Sequence, residues 1–190
     1  INLIAYSNLG LISTISSLLG LFLIIVFIKI KRITIENYLN LYPLKIKQIF
    51  FFSLCAFFLM FFMQFFSKNF PELFDTNFVS ESYKNANSLA LLYLGVVVVG
   101  PLFEEVLFRG FLFKGLEKSF LGGKGAVFIT ALVFSCIHIQ YGFWVIFFML
   151  FPMALLLGYA RLKSKSLFLP IILHSINNLI TCLITHFEVY

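Results

Sequence analysis

Charged side chains are scarce: they make up 12% of the 190 residues, against roughly 25% in a soluble domain. That shortfall excludes an ordinary water-facing surface. With a mean hydropathy of +1.01 and 27 phenylalanines, most of the surface is expected to face lipid. Cysteine is also rare. Cys55, Cys136 and Cys182 lie in apolar runs without CxxC spacing, so neither a disulfide framework nor a thiolate metal site is indicated. Asp75, in a loop, is the chain's single aspartate, which rules out a two-aspartate protease. HExxH and GxSxG are absent too, removing the one-helix zinc site and the serine elbow. The chain opens on Ile1 rather than Met, so its N-terminus is expected to be incomplete or processed.

Long apolar runs are plentiful. Crossing ~30 Å of hydrocarbon takes ~20 helical residues. Uncharged runs of that kind cover 9–28, 48–66, 85–103 and 167–186. Between Gly125 and Ala160 no residue is charged. As one helix that stretch would measure ~54 Å, so it is expected to break at Gln140-Tyr141-Gly142 into two shorter spans. The fold class that follows is all-α, a polytopic bundle of about six transmembrane helices. One membrane domain is expected over 1–190, with two N-terminal spans in 1–66 and a four-helix core in 89–186. No repeat or low-complexity linker interrupts it. Residues 33–47 are expected along one interface and 67–84 as the longest loop at the other.

Charge placement tests the count. Lys29, Lys31, Arg32, Lys45, Lys47, Lys114, Lys118, Lys124, Arg161, Lys163 and Lys165 all fall in connections on one side of six alternating spans. By the positive-inside rule that side is cytoplasmic and both termini are non-cytoplasmic. The net charge of +6 is then topological, and no nucleic-acid partner is implied.

Ionisable groups at membrane depth are costly and normally face partners inside a bundle. Here they are Glu104, Glu105 and Arg109 on the third span, His138 on the fourth, and His174 with Asn177 and Asn178 on the sixth. Glu105 and Arg109, four apart, share a helix face and can pair. Glu104 is rotated by about 100° and has no partner on its own helix. His138 shares its face with Phe134, and His174 shares its face with Asn178. Each feature alone has a plain architectural reading: an ion pair that ties helices, a hydrogen-bonded core histidine, an amide that glues helices. Together they are the parts that hydrolyse an amide. A carboxylate in an apolar setting can take a proton from water, a histidine can hold that water, and a second histidine with an amide can steady an oxyanion.

Three motifs in order, EExxxR (Glu104, Glu105, Arg109), FxxxH (Phe134, His138) and HxxxN (His174, Asn178), resemble those of the CAAX-protease and bacteriocin-processing family of intramembrane endopeptidases (CPBP or Abi). The resemblance covers roughly residues 89–186. It implies a membrane protease with Glu104 as general base, His138 holding and helping to activate water, and His174 and Asn178 stabilising the oxyanion. Glu105, Arg109 and Phe134 would orient the site. No cofactor is required by this scheme, although Glu104, His138 and His174 would also make a plausible zinc set. The implied partners are a peptide or protein substrate and the lipid bilayer. The competing readings are a non-proteolytic scaffold or accessory subunit of a larger membrane complex of the same fold, and a proton-coupled carrier. A bacterial plasma membrane is the expected location, with a plastid thylakoid membrane as the alternative. One feature fits poorly: counted along their helices, Glu104 and His174 fall in the cytoplasmic half, whereas His138 falls ~20 Å from that end.

Overall fold

The structure is a computed structural model that describes residues 7–74 and 77–189. Ile1 and Asp75, on which two of the readings above fall, lie outside the described residues. Six helices carry the fold: α1 (Leu9–Ile30), α2 (Ile46–Asn69), α3 (Leu89–Glu117), α4 (Gly122–Cys136), α5 (Phe143–Ser164) and α6 (Phe168–Val189). Among the described residues there is no strand. Two short helices sit in the connections, Ile35–Leu39 at one end of the bundle and Asn77–Lys84 at the other. Five of the six long helices are apolar and long enough to cross a membrane, so the chain is a multi-pass membrane protein.

The helices differ in what surrounds them. Only 17% of the most apolar stretch of α1 and 11% of that of α2 is buried, against 44% for α3. Thus α1 and α2 present a wall of exposed Leu, Ile and Phe to lipid, while α3 is the central post. α1 lies tightly against α3 because both are notched with glycine. A Cβ on Gly10 would lie 2.5 Å from the Leu92 backbone nitrogen, and one on Gly95 would lie 2.8 Å from the Gly10 carbonyl oxygen. Small residues at such contacts let backbones approach where the hydrophobic effect no longer drives association.

The fourth helix corrects the expectation of a full span. At 15 residues α4 reaches only about 22 Å, short of the ~30 Å hydrocarbon layer. The expected break is present. Ile139–Tyr141 form one tight turn, and Gly142 follows at φ +79, ψ 160, a region essentially confined to glycine. The end of α4 is sealed locally, as irregular backbone inside a membrane requires. His138 N–H bonds the Ser135 carbonyl and Tyr141 N–H bonds that of His138, both at 3.1 Å.

α6 also starts inside the protein rather than at its surface. Ser166 and Leu167, in the α5–α6 turn, are fully buried. The Ser166 hydroxyl donates to the Tyr42 carbonyl at 2.6 Å and Leu167 N–H to that of Asn40 at 3.1 Å. Segment 33–44 therefore caps this turn, and His174 sits deeper than a count from the turn suggests. That removes the mismatch in depth with His138. Arg161, read from the sequence as a loop charge, is 2% exposed; its Nε donates to the Arg109 carbonyl at 3.0 Å, and its guanidinium lies 5.4 Å from the Phe113 ring centroid.

At the opposite end, helix Asn77–Lys84 is anchored to α6 by the Tyr83 hydroxyl, which donates to the Cys182 carbonyl at 2.8 Å. Burial pushes the Tyr83 phenol far above its ordinary value.

Candidate active site

α3 is not a uniform helix. Leu94–Val99 and Val106–Leu112 are wide, π-type turns, and Gly100–Glu105 between them is regular α-helix. Gly100 N–H reaches back five residues to the Gly95 carbonyl, and Phe113 N–H does the same to that of Phe108. Such turns accommodate extra residues and recur at functional sites. Here they bracket the segment that carries Glu104 and Glu105.

The two glutamates are treated differently, in line with their rotation about the helix. Glu105 and Arg109 are both fully buried. Arg109 Nη1 donates to Glu105 Oε1 at 2.8 Å, and Nη2 donates to the Ala154 carbonyl of α5 at 2.9 Å. The expected pair is therefore present, and it ties α3 to α5. Glu105 Oε1 also lies 2.9 Å from His174 Nδ1 on α6. A carboxylate held by an arginine is an acceptor, which assigns the proton to Nδ1 and turns Nε2 outward. That nitrogen faces Glu104 Oε2 at 3.7 Å, too far for a hydrogen bond. Glu104 itself keeps 26% of its side chain exposed and makes no hydrogen bond among the described residues. The partner on a neighbouring helix that its isolation called for is His174.

Phe134 is the hub that brings α4 into this cluster. Its ring lies 4.9 Å from the Arg109 guanidinium, 5.8 Å from the His174 ring and 4.5 Å from the His138 ring. His138 Nδ1 is 2.7 Å from the Phe134 carbonyl oxygen, which can only accept, so here too the proton sits on Nδ1 and Nε2 is left free. On its other side His138 stacks on Tyr141, with centroids 6.0 Å apart and planes at 29°. Tyr141 lies within electrostatic reach of Glu104, and Phe78 of the loop helix meets it edge-on at 5.1 Å.

Asn178 lies one turn beyond His174 on α6. Its amide donates to the Val96 carbonyl, within the first wide turn of α3, at 2.9 Å, and its side-chain oxygen accepts from Asn177 at 3.1 Å. One amide hydrogen remains for other use. Thus Glu104, Glu105, Arg109 and His174 are brought into direct contact, His138 joins them through Phe134, and Asn178 flanks them. Tyr141 was not singled out by sequence. A tyrosine three residues after His138, across a helix end, was the available signal, because it returns to the histidine only if the helix stops.

Among the described residues no three His, Cys, Asp or Glu side chains are grouped as a metal centre requires. Glu104, His138 and His174 do not fit a zinc set in this arrangement, and no step is routed through a metal.

Comparison with known proteins places the same region. The chain is 33% identical over 93 residues to an Uncharacterized 24.3 kDa protein of Escherichia coli, covering 48% of this chain and 42% of that one. It is 33% identical over 87 residues to UPF0177 protein YbdJ of Lactococcus lactis, covering 46% and 36%. It is also 30% identical over 98 residues to the membrane-embedded CAAX protease MroQ of Staphylococcus aureus, covering 49% and 38%. The matched region thus spans less than half the length of each of these relatives. No solved structure gives a significant match. The sequence pattern of the family described as type II CAAX prenyl endopeptidase Rce1-like matches residues 86–180, half of the chain, and takes in all three motifs. The chain belongs to the Rce1-like family of membrane proteases.

Proposed function

We propose that this protein is an intramembrane endopeptidase that cleaves a peptide bond with water activated by Glu104. The observation that carries the reading is the division of labour between neighbouring glutamates. Glu105 is buried and bonded to Arg109 and His174, whereas Glu104 is part-exposed and unbonded beside the His174 ring. A general base must reach water and give up its ground-state partners cheaply. Glu104 meets both conditions and Glu105 meets neither.

In this scheme Glu104 takes a proton from a water that His138 Nε2 holds as acceptor. The water oxygen bonds to the scissile carbonyl carbon, and the carbonyl oxygen becomes an oxyanion. Its donors are the remaining amide hydrogen of Asn178, the Tyr141 hydroxyl, and His174 Nε2 once protonated, a state the Glu105 carboxylate on Nδ1 favours. The C–N bond then breaks as Glu104 returns its proton to the leaving nitrogen. Arg109 and Phe134 hold Glu105 and both imidazoles in place. The substrate is a peptide or protein held at the membrane; the family's description, a CAAX prenyl endopeptidase, supports a prenylated C-terminus as the first one to try. The basic end of the bundle faces the cytoplasm of a bacterial plasma membrane.

The test compares peptide termini in membranes that carry wild-type protein or the Glu104→Gln variant, alongside cleavage of a farnesylated CAAX peptide. Termini that need Glu104 support the reading. Identical termini, or a Glu104→Gln variant as active as wild type, remove Glu104 from its role.

A further inference from the structure

The outer walls of α2 and α5 do not close on each other. Between them runs an apolar groove of about 400 Å³, lined by Phe51, Cys55 and Leu59 of α2 and Pro152, Leu156 and Tyr159 of α5. None of these residues belongs to the site described above. The lining positions follow helical spacing on both sides, and the same faces continue to Gln48 and Lys47 at the start of α2 and to Lys163 at the end of α5. The mouth at that end is built. Gln48 Nε2 donates to the Lys163 carbonyl at 3.0 Å, which joins the two helix ends, and Lys163 Nζ stands 5.9 Å from the centre of the Tyr159 ring, over the groove wall.

The electrostatics of the mouth are one-sided. Lys45, Lys47 and Lys163 are exposed, and none has a carboxylate partner among the described residues. The first turn of α2 holds no acidic residue and its N-terminus has no side-chain cap, so its free N–H groups add to the positive field. An apolar trough that ends in unneutralised cations at the edge of the hydrocarbon matches one kind of molecule in a membrane. That molecule has a hydrocarbon chain on a negatively charged phosphate head.

We propose that this groove is a binding site for an anionic phospholipid. One acyl chain lies along Leu59, Cys55, Leu156 and Tyr159, and the phosphate sits between Lys47 and Lys163. Zwitterionic lipids share the chain and the phosphate but carry a compensating cation, so they are held less well. The site is independent of the proteolytic reading.

The full chain, reconstituted in phosphatidylcholine vesicles, is titrated with spin-labelled phosphatidylglycerol and spin-labelled phosphatidylcholine, and the motionally restricted fraction of each is read by electron paramagnetic resonance. Wild-type protein is expected to prefer phosphatidylglycerol. Lys47→Gln and Lys163→Gln are each expected to reduce the preference about fivefold at low salt. Leu156→Trp, which fills the groove without changing charge, should remove the preferred component. Lys29→Gln with Lys31→Gln, at the same end but on α1, should leave it in place. A wild-type protein without preference overturns the proposal. So does an equal loss from the α1 pair, which would mean a diffuse basic ring, or full preference retained in Leu156→Trp.

Discussion

Neighbouring glutamates on one helix are predicted to fail in opposite ways. Glu105 is fully buried, and its charge is met by Arg109, itself fully buried. Removing one partner from such a pair strands the other charge, at a cost of about 3–5 kcal/mol. Arg109→Met also frees the Ala154 carbonyl, whose bond is worth about 1 kcal/mol or less between membrane helices. The Arg109→Met single variant is therefore expected to lose about 3–5 kcal/mol, and Glu105→Gln a similar amount. The double variant Arg109→Met, Glu105→Met leaves no stranded charge and should recover most of that loss. Glu104→Gln removes a side chain that is 26% exposed and without a hydrogen bond, so its effect on stability is expected to stay within about 1 kcal/mol while cleavage is lost. Reversible unfolding in mixed micelles, followed by circular dichroism and run beside the peptide-cleavage assay, reads both. The reasoning is refuted if Arg109→Met costs less than about 1 kcal/mol, if the double variant loses the sum of the singles, or if Glu104→Gln proves as destabilising as Glu105→Gln.

Three further outcomes follow from particular contacts. Gly142→Ala forces a side chain onto a glycine-only conformation; it should cost about 1–3 kcal/mol and depress turnover more than it raises KM, because the turn aims His138. Phe134→Leu keeps the bulk but removes the ring shared by Arg109, His138 and His174, with an expected loss of about 1–2 kcal/mol of stability and a fall in activity that His138→Ala does not deepen. Burial raises the folded-state value of the Tyr83 phenol, so its contribution is complete below the unfolded value near 10 and is lost as pH rises above it. Wild-type unfolding temperature should decline above about pH 10, and Tyr83→Phe should flatten that decline.

The helix count, the break before Gly142 and the Glu105–Arg109 pair were legible because each leaves a mark on sequence spacing: a run length, a glycine after a polar pair, an i, i+4 repeat. The bond from Glu105 to His174 was not, because nothing local indicates which neighbouring helix supplies a partner. The wide turns of α3 were hidden for a related reason. Val96–Val99 reads as an ordinary apolar stretch, and only packing against the glycines of α1 decides its winding. Arg161 misled in the other direction. A basic residue near a turn is expected in water, and its burial depends on the capping segment 33–44 and on the Arg109 carbonyl. The short α4 was legible only as a conflict in depth, and its resolution needed the buried start of α6.

The six residues from Gly100 to Glu105, set between two overwound-by-one loops of backbone, behave as a cassette whose angular setting is independent of what lies above or below it. Deleting a single codon in 94–99 would return that stretch to regular winding and swing both carboxylates by about 100°, away from His174, without altering any residue of the cluster. Loss of hydrolytic chemistry in this protein thus lies one in-frame deletion away from a chain that still folds and inserts, and a second such event beyond Glu105 would be needed to realign the rest of the post.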